Sequence, residues 1–147
     1  MKTKAILLGT GLSLATAALA ADKTAPAVVH VDHEKVAAAF TSGSPLVVSN
    51  NFRVQTGRRT APGEVEIHDR DTDIFYLLEG SATFVTGGKA VEPRSIAPGE
   101  TRAKAITGGE ERKLNKGDVI VIPKGIPHWF KEVNGLLLYY VVKVTEQ

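Results

Sequence analysis

Two histidines and a small group of acids are the side chains of this chain best suited to chemistry: His68 and His128, with Glu64, Glu66 and Asp73 close to the first. Imidazole nitrogens and carboxylate oxygens together form a hard-to-borderline donor set. Such a set suits Mn, Fe(II), Ni, Co or Zn and can leave coordination positions open for water or a substrate. Glu66 and His68 are two residues apart, so on a strand they project from one face. Asp73 follows a polar turn, at the start of what reads as the paired strand. His128 ends the run from Gly117 to His128, which reads as a turn, a buried strand, a second turn held by Pro123 and Gly125, and one imidazole. A strand delivers a side chain to a fixed place, and a Pro/Gly turn sets the angle at which the next strand leaves. That grammar aims a histidine into a β-barrel from across its wall. A metal site of His68, His128, Asp73 and Glu66 is the expected result. Glu64 shares the face of Glu66 and His68, and either acid, when not a ligand, is a candidate general base.

The competing reading is a buried, hydrogen-bonded cluster with no ion. Its difficulty is energetic, because an unpaired buried charge costs several kcal/mol. A divalent ion supplies the compensation, and so would an arginine such as Arg53 or Arg70. Asp69 and Asp71 sit in the polar turn and read as solvated, with Asp71 the substitute ligand if Asp73 faces away. Phe75, Leu77 and Phe130 share the inward parity and are expected to line an apolar pocket. Trp129 is next to His128 and points the other way, toward outer packing. Tyr139 and Tyr140 point oppositely, so at most one reaches the interior. His30 and His33 read as surface residues. The sequence contains no serine-nucleophile elbow, phosphate loop or cysteine site.

The elements that must position these groups are almost all strands. Asp32 is placed to N-cap a short helix carrying Val36 and Phe40, ended by Ser42 to Pro45. Short strands are expected at 46–48 and 52–55, then at 64–68, which alternates strictly. A hairpin is expected from 73–78 through Glu79-Gly80 into 81–86. Residues 91–109 read as a loop-rich insertion with one or two brief strands, at the pocket mouth. A second hairpin is expected from 128–133 through Asn134-Gly135 into 136–144. That last run is apolar on both faces and should be central. Many short strands divided by Gly/Pro turns indicate a sandwich or barrel. The expected organisation is a leader at 1–20, an N-terminal extension with the first strands at 21–62, and a barrel core at 63–147, all one domain after the leader.

The chain has 147 residues, no cysteine and a formal charge of +2. Both excess charges are Lys2 and Lys4, and the rest is neutral by count. This excludes the basic stripe of a nucleic-acid binder. Arg58-Arg59 and Arg112-Lys113 read as solvated pairs. Lys2 and Lys4, the apolar run from Ala5 to Ala15 and the small-residue site Ala18-Leu19-Ala20 read as a signal peptide cleaved after Ala20 or Ala21. The run is too short and too rich in Gly and Ala to span a membrane comfortably. The mature protein is therefore expected in the periplasm or secreted, without a membrane span. Lacking disulfides, it must be held together by apolar burial.

Residues 63–133 resemble the cupins. Gly117, Pro123, Gly125 and His128 match the spacing of the second cupin motif, and Glu132 stands where the family has Asn. Gly80 fits the closing glycine of the first motif, His68 fits its second histidine, Asp73 stands in place of its Glu, and Glu66 in place of its first histidine. The resemblance implies a jelly-roll β-barrel, all-β apart from the short N-terminal helix. It carries the family's metal ligands onto Glu66, His68, Asp73 and His128. It also implies a small-molecule ligand, a homodimer, and, for an enzyme, dioxygenase, isomerase, lyase or decarboxylase chemistry. A non-catalytic module that binds a small ligand or a metal is the alternative. Glu66 adds negative charge beside an ion, and Asp73 is one methylene shorter than the Glu it replaces.

Overall fold

The structure, a computed structural model, describes residues 27–146. The expected leader and its cleavage site lie outside the described residues. A helix, α1 (His33–Ser42), is followed by eleven strands: β1 (Pro45–Val48), β2 (Phe52–Arg59), β3 (Val65–His68), β4 (Asp71–Thr86), β5 (Lys89–Val91), β6 (Arg94–Ala97), β7 (Glu100–Ala103), β8 (Ala105–Thr107), β9 (Glu110–Asn115), β10 (Val119–Ile122) and β11 (His128–Thr145). No helix among the described residues is long and apolar enough to cross a membrane.

The helix begins where the sequence says it should. Asp32 accepts a hydrogen bond from the Lys35 amide at 2.9 Å, and Gly43 ends the helix in the left-handed conformation. Ala39 is buried, and Phe40 packs on Tyr140 with ring centroids 5.7 Å apart.

Two long antiparallel strands, β4 and β11, form the spine. β11 also pairs with β2 along its C-terminal half and with β3 at His128. β4 carries β9 and β10 on its other edge. β3 pairs onward to β7, and β7 to β6. β5 and β8 make a small separate ribbon. The sheet is rolled around a core that includes Phe75, Leu77, Phe84, Phe130, Leu137 and Tyr139. Phe84 and Phe130 have ring centroids 4.6 Å apart, and Phe75 and Tyr139 5.3 Å. Burial of each such side chain stabilises the fold by about 1.5–3 kcal/mol.

Four expectations are corrected. Neither expected hairpin exists, because 73–78 and 81–86 lie on one strand, and so do 128–133 and 136–144. Gly80, with φ 77°, is a bend opposite Gly135 to Leu137, and a side chain there would overlap the Leu136 carbonyl. The glycines thus serve as bulges that let the two long strands curve together. β3 does not pair with β4 but lies between β11 and β7. Residues 91–109 contain three brief strands, β6 to β8, of which β7 and β6 extend the main sheet beyond β3 and β8 pairs with β5. β10 is an edge strand with Val119 and Val121 exposed, not a buried one. The run at 136–144 is central, as expected.

Gly57 on β2 stands opposite Tyr139, and a Cβ there would overlap the Tyr139 ring. Gly57→Ala is therefore expected to destabilise the protein by about 1–3 kcal/mol, since added atoms in a filled space force neighbours off their rotamers. Urea unfolding measures this, and an unchanged midpoint would show that the ring can yield freely.

Candidate metal centre

Three strands bring the sequence-predicted residues together. Glu66 and His68 lie on β3, Asp73 on β4 and His128 on β11. His128 is in register with Glu66 on the adjacent strand, so it approaches as a neighbour and not from across the barrel. The Gly125 amide donates to the His68 carbonyl at 2.7 Å. Gly125 has φ 77°, a backbone state that glycine adopts without strain. The Pro/Gly turn is thereby tied to the strand that carries the other histidine.

His68, Asp73 and His128 are almost fully buried, and Glu66 is partly so. One ligand atom from each of Glu66, His68 and His128 lies within 4.8 Å of the others. The imidazole centroids are 5.2 Å apart. Asp73 Oδ2 is 3.4 Å from His68 Nε2 and 3.6 Å from His128 Nε2. The His128 ring is oriented by a 3.0 Å contact between Nδ1 and the Ile126 carbonyl. With the proton on Nδ1, its Nε2 carries a lone pair directed at the cluster. That Nε2 is buried with no hydrogen-bond partner among the described residues. A buried lone pair without a donor is costly, and a cation placed among these atoms would satisfy it. The donors therefore fit a divalent ion of the N/O-loving kind.

Four charged residues that the sequence reading did not assign to the site complete it. Lys143 stands opposite Asp73 on the paired strands. Its Nζ lies 2.7 and 2.6 Å from the two Asp73 oxygens and 2.9 Å from His68 Nε2. Glu100 on β7 approaches His68 Nδ1 at 2.8 Å, a contact that orients the ring and raises its basicity. Arg102, also on β7, lies 3.4 Å from Glu66 Oε2, and Arg59 donates to Glu66 Oε1 at 3.3 Å. Arg59 also donates to the Tyr139 hydroxyl and sits over the Phe130 ring. It is thus a wall residue of the site, not half of a solvated pair.

These neighbours set the charge states. Burial opposes ionisation of Glu66, yet its His68 contact and the fields of Arg102 and Arg59 outweigh burial and hold its pKa down at about 2. Burial likewise opposes the Asp73 anion, while His68 and Lys143 hold that carboxyl far below the usual range. For His68, burial opposes charge, the Asp73 and Glu66 carboxylates favour it, and Lys143 opposes it; the pKa is raised to about 9. Two N–H groups cannot face each other at 2.9 Å. The Lys143 contact therefore requires Nε2 as the acceptor, with the ring proton on Nδ1 toward Glu100, and it competes with the imidazolium that the two carboxylates favour. That lone pair is the one an ion would need.

The other expected residues fall as follows. Phe75 and Phe130 line a cavity of about 170 Å³ beside the cluster, together with Arg59, Tyr139 and Lys143. Leu77 does not line it, being fully buried in the core below. Glu64 lies at the rim, half exposed, where Arg94 donates to both its oxygens at 2.8 Å. Neither Arg53 nor Arg70 compensates the cluster. Arg53 pairs with Asp71 at 2.6 Å, and Arg70 donates to the Glu146 carbonyl. Asp71 is therefore engaged outside the cluster and is buried, not solvated. Glu132 accepts from Thr83 on the outside and takes no part. Trp129 donates to the Gly63 carbonyl at 2.7 Å, Tyr139 faces the cavity while Tyr140 packs on the helix, and His30 and His33 are exposed.

The fold, the two motif turns and the inward histidines define a cupin barrel. The chain belongs to the cupin family, whose match spans residues 28–147. Among solved structures, BH2720 from Bacillus halodurans is similar, with a TM-score of 0.56 at 16% identity over 86% of each chain. KdgF from Halomonas sp. matches with a TM-score of 0.48 at 19% identity, over 71% of this chain and 79% of that one. The DMSP lyase DddQ from Ruegeria pomeroyi DSS-3 matches with a TM-score of 0.48 at 18% identity, over 67% of this chain. This chain spans only 40% of that lyase's length. No curated protein matches the chain.

Proposed function

We propose that this protein is a metal-binding cupin whose cavity takes one small organic molecule beside the ion. Convergence of the His68, His128 and Glu66 donor atoms within 4.8 Å, with the His128 Nε2 buried and unpartnered, carries the reading. Glu66, His68 and His128 would hold the ion, with Asp73 as a further oxygen donor. Bound there, a divalent metal supplies Lewis acidity to a ligand oxygen. The chain supplies the rest. Phe75 and Phe130 give apolar walls, Arg59 gives a cation for a polar or anionic ligand group, and the Tyr139 hydroxyl is held in place by Arg59. A cavity of about 170 Å³ is smaller than the usual range for drug-sized ligands, so a ligand of few heavy atoms is expected.

A second reading, capture without turnover, is favoured by the state of the two candidate bases. Arg94 clamps Glu64 at the rim, and Arg59 and Arg102 hold Glu66, so each acid is already engaged by a cation. Oxygen consumption and product analysis on the metal-loaded protein separate turnover from capture. Export to the periplasm or outside, removal of the segment ending near Ala20, and pairing of two copies through sheet edges are part of the proposal. The exposed Val119 and Val121 on β10 support the last.

Elemental analysis of the mature protein, purified without chelator, tests the metal reading. About one divalent ion per chain is expected, removable by chelator and restored on titration. No copurifying metal and no binding on titration would overturn the reading.

A further inference from the structure

Lys143 is the one group in the cluster that a metal ion would not tolerate where it stands. On β11 the inward parity runs Leu137, Tyr139, Val141, Lys143, and the first three are buried apolar or aromatic residues of the core. An amine at the next inward position is therefore unusual. Its Nζ lies among the donor atoms, touching both Asp73 oxygens and the His68 Nε2. It neutralises Asp73, which is 1% exposed and would otherwise be a buried charge lacking a close cation. The same carboxylate and the same imidazole lone pair are the donors that an incoming ion would use. An ammonium and a divalent ion cannot share them, because like charges at contact distance in a buried site repel strongly. Lys143 also lines the cavity, so the ammonium has open space to move into.

We propose that Lys143 is a tethered internal cation that occupies the metal position in the metal-free protein and is displaced into the cavity when a divalent ion binds. It thereby sets the metal affinity of this cupin. It keeps the metal-free barrel folded by compensating Asp73, and it weakens binding because its own contacts must be broken first. This rests on the metal reading above.

The test is an equilibrium titration of chelator-stripped mature protein with Zn²⁺ or Co²⁺, against a competing chelator, for wild type, Lys143→Met and Lys143→Arg. Lys143→Met is expected to bind about 10- to 100-fold more tightly than wild type, since a contacting positive charge has been removed. Lys143→Arg keeps the charge and is expected to stay within a fewfold of wild type. Equal or weaker binding by Lys143→Met, with wild type still binding, overturns the inference and leaves the metal reading standing. Absence of binding in all three overturns the metal reading and the inference with it. Should Lys143→Met fail to fold without metal, the wild type decides. Acetic anhydride labelling of Lys143, read by mass spectrometry, is expected to rise severalfold on Zn²⁺ saturation, while exposed Lys89 and Lys104 stay constant. Unchanged labelling of Lys143 in the zinc-bound protein overturns the inference.

Discussion

His128→Ala is expected to lower divalent-metal affinity by at least about 100-fold, because even residues behind the ligands typically change affinity 10- to 100-fold. The barrel should survive. His128 packs near Phe75 and Phe84, with ring centroids 6.3 and 6.2 Å away, so truncation opens a void in an otherwise filled interior. Such a void costs about 2–4 kcal/mol, within what a domain of this kind tolerates. Far-ultraviolet circular dichroism should be unchanged while calorimetric titration shows no saturable binding. Retention of tight binding by the folded variant would remove His128 from the ligand set. Loss of folding with metal content intact would assign it a structural role alone.

Asp73→Ala is expected to be the most destabilising single change in the metal-free protein, at about 3–5 kcal/mol, the usual cost of removing one partner from a buried ion pair. Asp73 is one of the largest fully buried side chains, and Lys143 meets both of its oxygens. Removing the carboxylate leaves the ammonium facing His68 and no anion at contact distance. The remedy available to the chain is for Lys143 to swing into the cavity, which lowers the cost toward the bottom of that range. Urea unfolding in the presence of chelator measures it. A change below about 1 kcal/mol, the worth of an exposed pair, would show that the Asp73–Lys143 contact is not buried in solution.

Much of this site was legible in the sequence because it rests on short-range rules. Parity on a strand put Glu66 with His68, and the Pro123/Gly125 turn placed His128 inside. Tyr139 and Tyr140 separated by the same alternation. The misses have a common cause in long-range pairing. Gly80 and Asn134-Gly135 carry hairpin chemistry, yet they bend strands that pair with each other, and no local signal separates a bulge from a turn. The pairing of β3 with β7, which delivers Glu100 and Arg102, joins segments that are far apart in the chain and lie in its least regular stretch. Leu77 has the right parity for the cavity but lies one layer too deep. Lys143 did leave a signal, since a lysine on the inward face of a central apolar strand demands a buried anion. Parity with Tyr139 would have turned it inward, toward the face that carries the ligands.

X-ray absorption spectroscopy of the zinc-loaded protein in solution puts the convergence of His68 and His128 to its most direct test. The expected spectrum has nitrogen and oxygen neighbours only, with the outer-shell scattering of two imidazoles. Scattering from one imidazole or none would mean that the two rings do not share an ion, and the proposed centre would have to be abandoned.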